Sequence, residues 1–550
     1  MATVEIKEGS AVMQYDEKEA VFYNKVQVLN RDLSIQVIRL FSEIREREKT
    51  QRYEGKLARY NELLQTGLPA APAPSSSSSR KQPQIKPPYE LPKGIHILDA
   101  LAATGLRSVR YLKEIPLARH VTINDLDASA TEQARANCQQ NGVDMDKVTI
   151  SNGDAIALMH AHAPALSNFD VIDLDPYGTA SPFLDAACAA VADGGLLCVT
   201  CTDMAVLCGS FPEKCYALYG AVPLKGGFVH EAALRILLHA LEAAANRHKK
   251  HIVPWLSLSV DFYVRIFCRV YESPIEVKRS MLKRGMVYQS HQCPSFHIQP
   301  LGTSSATKRG TEQNYSGAAV TAPSTCEETG GRMRVGGPIW SDPIHSQEVV
   351  DALLARAQPG GDFMSHTATQ PRLFGLLTSL QEELKGSPLY YCLPELCSTL
   401  QCVTPTTLDV HAALTNAGFQ VSQFHHDPTA IKTDAPPSFI WDLMRAWCKV
   451  RPPEGSKHKK QSAAAAHILS RPSTHVVSFE ISEPLREAFE RRKKDAVARF
   501  PPNPEDFWGP KRRAGGGGGG DEGAGGGEQQ QQQEERHEEE EGSPAKRKCP

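Results

Sequence analysis

The stretch Val171-Ile-Asp173-Leu-Asp175-Pro176-Tyr177-Gly178 runs from an apolar segment into a turn and ends in a carboxylate, a proline and an aromatic ring. That succession suits one kind of chemistry. An amine conjugated to a heteroaromatic ring is a poor nucleophile, because its lone pair is delocalised. A carboxylate and a backbone carbonyl that accept its two N–H bonds localise the lone pair and stabilise the positive charge that develops on nitrogen during attack. Proline fixes φ and helps to aim the carbonyl. An aromatic ring beside them can stack on a base taken out of its helix. Asp175 is the candidate acceptor and Tyr177 a candidate stacking residue. Asp-Pro-Tyr-Gly is equally a good turn sequence, so the stretch alone leaves both readings open.

Upstream residues supply a partner for this chemistry. Ile97-Leu-Asp99-Ala-Leu-Ala-Ala-Thr-Gly105-Leu-Arg107 follows a strand-like run and carries small residues where a backbone can approach a ligand closely. Asp125 ends a second strand about 20 residues further on, the spacing at which an acid meets ribose hydroxyls. A third strand ends in Asn152-Gly-Asp154-Ala155, where an acid and a backbone N–H can read an adenine. Each acid alone is a common cap or turn residue; three at successive strand ends indicate a nucleoside cofactor. A pyrophosphate needs free N–H groups and no adjacent acid, whereas a sulfonium is cationic and tolerates carboxylates. The loop holds Asp99 and lacks a full Gly-x-Gly-x-x-Gly, which favours S-adenosylmethionine over a dinucleotide.

The elements that must position these residues read as alternating strands and helices. Strands are expected at Ile95–Ala100, Val121–Asn124, Val148–Asn152, Phe169–Asp173 and Gly195–Cys201, with helices at Ser129–Gln140 and Pro182–Val191 between them. This alternation implies an α/β fold, Rossmann-like, with a mostly parallel sheet covered on both faces and ligands at the carboxyl ends of its strands. A helix at Val229–Ala245 and strands at Leu256–Val260 and Tyr263–Val270 complete it. A charged helix is expected at Ile35–Leu64, then a Pro/Ser-rich disordered insertion at about 66–90. Residues 303–337 read as a long flexible loop and 345–450 as mostly helical, with a strand-turn element near Gly418–Phe424. The expected domains are 1–272, 273–513 and a disordered Gly/Gln/Glu-rich tail, 514–550.

The whole chain bounds the answer further. Its 550 residues carry a net charge of -2, so any nucleic-acid contact must come from local basic patches. The 14 cysteines are scattered, several in apolar runs, as reduced thiols of an intracellular protein are. No apolar run approaches the roughly 20 residues that span a bilayer, so no membrane partner is expected. The acidic start indicates neither a secretory signal nor a transit peptide. Lys546-Arg547-Lys548 near the end is a short basic cluster that would suit a nuclear address; without it the chain is expected in the cytoplasm.

Asp175-Pro-Tyr resembles the Asp/Asn-Pro-Pro-Tyr/Phe motif of amino-methyltransferases. The chain as a whole resembles the tRNA guanine-26 N2-dimethyltransferase family, class I S-adenosylmethionine-dependent enzymes. The stretches that carry the likeness are 21–34, 99–111, 173–181, Gly226–Leu237, Gly336–Trp340, Ile431–Pro436 and Trp441–Arg445. The resemblance implies that Arg31, Arg107, Asp125, Asp154 and Ala155 contact S-adenosylmethionine, that Asp175 faces the target amine, and that Phe22 or Tyr177 stacks on the guanine. It implies a C-terminal α+β tRNA-binding domain, which basic runs at Arg445–Arg451, Lys457–Lys460, Arg491–Lys494 and Lys511–Arg513 would suit. It also implies two Cys pairs forming a zinc site. Here the pairs read Ser290-His-Gln-Cys293 and Cys326-Glu-Glu-Thr329, half the thiolates are missing, and zinc is not expected. The expected partner is tRNA and the expected state a monomer. An adenine-N6 methyltransferase of rRNA or DNA, or a non-catalytic RNA-binding protein, are the alternatives.

Overall fold

The structure is a computed structural model that describes residues 3–16, 23–65, 88–89, 92–163, 168–307, 313–358, 360–361, 367–451 and 462–501. Phe22, nearly all of the Pro/Ser-rich insertion, the basic runs 457–460 and 511–513 and the tail with Lys546–Lys548 lie outside the described residues.

A hairpin comes first, β1 (Thr3–Glu8) paired with β2 (Ala11–Asp16). The side chain of Asn24 then accepts the N–H of Val26 and opens a short 3-10 turn, Lys25–Gln27, ahead of α1 (Val28–Gln65). The first half of α1 is buried as far as Arg45 and the rest is largely exposed. Alternation follows: β3 (Ile95–Asp99), α2 (Leu106–Glu114), β4 (Ala118–Asp125), α3 (Ala128–Gln140), β5 (Val148–Asn152), α4 (Ala155–Ala161), β6 (Phe169–Leu174), α5 (Leu184–Ala190) and β7 (Val191–Cys201). Two short helices, α6 (Met204–Leu207) and α7 (Pro212–Tyr219), lead to α8 (Val229–Arg247) and then to β8 (Lys250–Val260) and β9 (Tyr263–Glu272).

These strands make one seven-stranded sheet in the order β5-β4-β3-β6-β7-β9-β8. Pairs from β5 to β7 are parallel, and β9 joins β7 and β8 antiparallel. Every residue of β6 is buried, because helices cover both faces. Alternate side chains feed two cores: Leu98, Ile172 and Leu197 pack with α4, α5 and α8, while Ile97, Val171 and Leu196 pack with α1, α2 and α3. The chain runs outward through β3, β4 and β5 and restarts on the other side at β6. The tips of β3 and β6 therefore flank a switch point, the place where ligands of such sheets bind. This is the mixed, mostly parallel sheet that the alternation of the sequence implied.

Packing is continuous across residue 272. The helices Gln347–Ala357 and Gln370–Glu382 share a hydrophobic core with α1 and the sheet. Beyond β9 stand a three-stranded sheet (Phe296–Pro300, Arg284–Ser290, Met333–Trp340) and a smaller one built on Val421–Phe424 and Asp427–Thr433. One expectation is corrected here. Residues 303–337, read as a long loop, hold most of a hairpin, Gly302–Ala306 with Gln313–Gly317, and the first part of the strand Met333–Trp340. Apart from Gly302, the hairpin's residues are mostly exposed, so its sequence lacks the apolar alternation that reports a half-buried strand.

The outer rim of β8 is covered. Ser346 N–H donates to the Trp255 carbonyl at 3.0 Å, Ser257 N–H to His345 Nδ1 at 3.2 Å and Ser259 N–H to His425 Nε2 at 3.1 Å. Among the described residues no helix is long and apolar enough to cross a membrane.

Candidate active site

A cleft of about 230 Å³ opens at the tips of β3 and β6. The β3–α2 loop forms one wall. Gly105 takes φ +76° at the start of α2, and a Cβ there would meet the Cβ of Ala134 at 2.9 Å, so only glycine lets α2 and α3 close up. Ala103 is also left-handed, φ +46°, and its N–H donates to Asp125 Oδ2 at 2.8 Å. Asp125 thereby ties the tip of β4 to the loop. Its other oxygen accepts the N–H of Asp127 at 3.0 Å, and the next side chain, Leu126, is 74% exposed.

The second wall is Asp175-Pro176-Tyr177. Gly178 and Thr202 clamp this turn to the end of β7: Gly178 N–H donates to Thr202 Oγ1 and Thr202 N–H to the Gly178 carbonyl, both at 2.8 Å. Tyr177 is 63% exposed. The carboxylate of Asp175 pairs with Arg107 Nη2. Burial pushes its pKa up, but Arg107 and Arg265 outweigh that and hold it below the ordinary carboxylate range. Asp175 is thus an anion at neutral pH, as an acceptor of amine N–H bonds must be.

Arg31 enters from the third wall, the first turns of α1. Its Nε and Nη2 are bound to Glu8 at 2.6 and 2.5 Å, and Nη2 also reaches the Asn24 carbonyl at 3.0 Å. Glu8 is itself held by Arg110 at 2.8 Å, a fully buried guanidinium that also pairs with Asp32 and Glu114. Removing one member of such a buried group costs about 3–5 kcal/mol. The β1–β2 hairpin therefore sets where Arg31 stands.

Beneath the cleft, Asp173 accepts from Tyr111 Oη and from Arg265 Nη1, the latter at 2.7 Å. Asp99 lies in register with it on the neighbouring strand and accepts from Ser108 Oγ at 2.7 Å. Burial first, and then the Asp173 charge, push the Asp99 carboxyl up to about 7.

The fold thus brings Arg31, Arg107, Asp175 and Tyr177 into one cleft, with Asp125 at its edge. Asp154 and Ala155 stand apart, at the tip of β5: Asp154 caps α4 through the Ile156 N–H at 3.0 Å, and Ala155 is buried. Tyr23, Asn24, Gln27, Thr202 and Phe262 also line the cleft and escaped the reading of the sequence. Asn24 carried a signal, as a cap ahead of α1; Phe262 carried none.

Metal-binding residue types also cluster elsewhere. Cys293 Sγ lies 3.6 Å from Cys326 Sγ, with the hydroxyls of Ser290 and Thr329 against them where the family resemblance places thiolates. Two thiols are half of a structural zinc site. His345, Glu383 and His425 form another such cluster. Each of its histidines accepts a backbone N–H on one nitrogen, so the other carries a proton and faces Glu383, and Lys432 Nζ stands 3.7 Å from the same carboxylate. That is a buried hydrogen-bond network, with its cation already in place.

The sequence matches the family described as N2,N2-dimethylguanosine tRNA methyltransferase over residues 2–445. It is 41% identical to the tRNA (guanine(26)-N(2))-dimethyltransferase of Drosophila melanogaster, over 89% of this chain and 83% of that protein. It is 40% identical to the protein of the same name from Homo sapiens, over 92% and 77%. The fold is similar to that of Trm1 from Pyrococcus horikoshii, solved in complex with S-adenosyl-L-methionine, with a TM-score of 0.60 and 25% identity over 80% of this chain and 98% of that one. On sequence and on fold together, the chain belongs to the tRNA methyltransferase family that makes N2,N2-dimethylguanosine.

Proposed function

We propose that this enzyme transfers methyl groups from S-adenosylmethionine to the exocyclic N2 of guanine 26 in tRNA, through N2-methylguanosine to N2,N2-dimethylguanosine. The observation that carries the reading is the meeting of Arg31, Arg107, Asp175 and Tyr177 in one strand-tip cleft. The donor set suits the cofactor: carboxylates for hydroxyls and a cation, guanidinium groups for an amino-acid carboxylate, and a loop of small residues between them. The chemistry supplied by bound S-adenosylmethionine is an electrophilic methyl group on a sulfonium.

The strand order β5-β4-β3-β6 sets Asp154, Asp125, Asp99 and Asp175 in a row. Asp154 and the N–H of Ala155 would read the adenine, Leu126 would cover its face, and Asp125 would hold the ribose. Arg31 and Arg107 would take the carboxylate at the methionine end. Asp175 would accept a guanine N2–H bond, and Tyr177 or Phe22 would stack on the base. Binding of a carboxylate to Arg107 would compete with Asp175 for that guanidinium and free the aspartate for the amine. Holding amine and donor in line can lower the barrier by about 7–11 kcal/mol.

The test is nucleoside mass analysis of one defined tRNA transcript after incubation with enzyme and donor. N2-methylated guanosine is the expected product, lost when guanine 26 of the transcript is replaced; methyl groups on adenine alone would end the reading. Asp175→Ala is expected to lower kcat by about 100-fold or more, by analogy with loss of one preorganised charge partner, while cofactor affinity stays within a few-fold. Equal loss of both would make Asp175 structural.

A further inference from the structure

The turn between β8 and β9 consists of two residues, Asp261 and Phe262, with Val260 paired to Tyr263 across it. Asp261 takes φ +49°, a left-handed conformation that costs a non-glycine residue energy and persists only where its surroundings enforce it. Part of the enforcement comes from elsewhere in the chain: Arg372, on the helix Gln370–Glu382, donates to Asp261 Oδ1 at 2.7 Å. The clamp fixes where Phe262 stands, and that place is a partition. On one side Phe262 lines the cleft with Asp175 and Tyr177; on the other it lines a second cavity of about 580 Å³.

The second cavity has the size range of a ligand site and the character of an RNA contact. Arg372, Arg499 and His426 are in its walls, Arg372 paired with Asp261 and Arg499 with Glu382 and Asp495, so that the rings of Phe262 and Phe500 are what the walls offer a base. A strand that delivers one base into the cleft must carry its neighbouring nucleotide a single backbone repeat away. A cavity sharing a wall with the cleft lies within that reach, and an aromatic wall offers each base a face to stack on. Resting on the reading that the cleft takes an extruded guanine, we propose that the second cavity receives the nucleotide adjoining that guanine. Phe262 is then a positioning residue that separates the two bases.

The test uses the full chain and tRNA transcripts carrying 2-aminopurine at either neighbour of the target guanine. Binding to the wild-type chain should change 2-aminopurine fluorescence at one of the two positions, and Phe262→Ala should remove that change. The same variant should raise KM for tRNA about tenfold, the loss of roughly one stacked base, a larger change than in kcat, with S-adenosylhomocysteine affinity within a few-fold of wild type. Phe262→Trp should restore KM. If Phe262→Ala lowers the melting temperature, Phe262→Leu, which keeps apolar bulk without a ring, takes its place in the same assays. A KM within twofold of wild type, or no fluorescence change at either neighbour on wild-type binding, overturns the proposal. Wild-type protein that never methylates guanine overturns instead the reading of the cleft on which it rests.

Discussion

Asp99 faces Asp173 across one step of parallel register, and its raised pKa makes it a pH-dependent load on the native state. The unfolded chain releases this proton near pH 4, whereas the folded chain keeps it to about 7. Between those values the unfolded state binds fewer protons, so this group's contribution to stability falls as pH rises and is most favourable in acid. Asp99→Asn, which keeps an acceptor for Ser108 and cannot ionise, is expected to flatten that part of the curve. Melting temperatures of both proteins from pH 5 to pH 8 check it: the variant should gain on the wild type as pH rises, and parallel curves would contradict the assignment. Asp175 behaves oppositely. Its lowered pKa keeps it ionised across the same range, so an acid limb in activity near neutrality would have to come from another group.

Among the elements, the strand tips were legible and their supports were not. Asp125, Asp154 and Asp175 each follow a short apolar run, and parallel pairing puts such ends side by side, so the row of acids could be read from the sequence. The start of α1 was missed: Ile35 was expected, whereas the helix begins at Val28, its true signal being the Asn24 cap. That shift puts Arg31 on the helix. The β1–β2 hairpin that aims Arg31 and the turn that carries Phe262 depend on contacts with residues about a hundred positions away, Glu8 with Arg110 and Asp261 with Arg372, which no local pattern reports. The same holds for His345 and His425, which occupy the rim of β8. Glu383 holds the His425 ring at 2.8 Å, stands 3.9 Å from His345 Nε2 and is buried with both. Glu383→Leu would strip the acceptor from the Nδ1–H and from the backbone N–H of His425, and such orphaned buried donors cost about 1–3 kcal/mol each. The expected result is a clear fall in melting temperature with the cofactor pocket's affinity preserved in the surviving folded protein. An unchanged melting temperature would show that the network is dispensable.

For the molecule as a whole, a net charge of -2 leaves attraction to RNA to local patches. The helix Glu483–Lys494 ends in four cations. Arg492 turns inward, onto Glu382 at 2.8 Å and Gln423 at 3.2 Å, while Arg491, Lys493 and Lys494 are exposed. Replacing those three by glutamine is expected to weaken tRNA binding and to lower the slope of log affinity against log salt by about 1 for each phosphate that is no longer neutralised. Filter binding at several salt concentrations reads the slope, and an unaltered slope would assign these charges to solvent. The capped rim of β8 also bears on the company the protein keeps. A sheet edge with free N–H groups is a template on which a second polypeptide can extend the ladder. With imidazole nitrogens already bonded at positions 257 and 259, this sheet is finite on that side. Two copies brought together there can meet only through side chains, and can part again without either one unfolding.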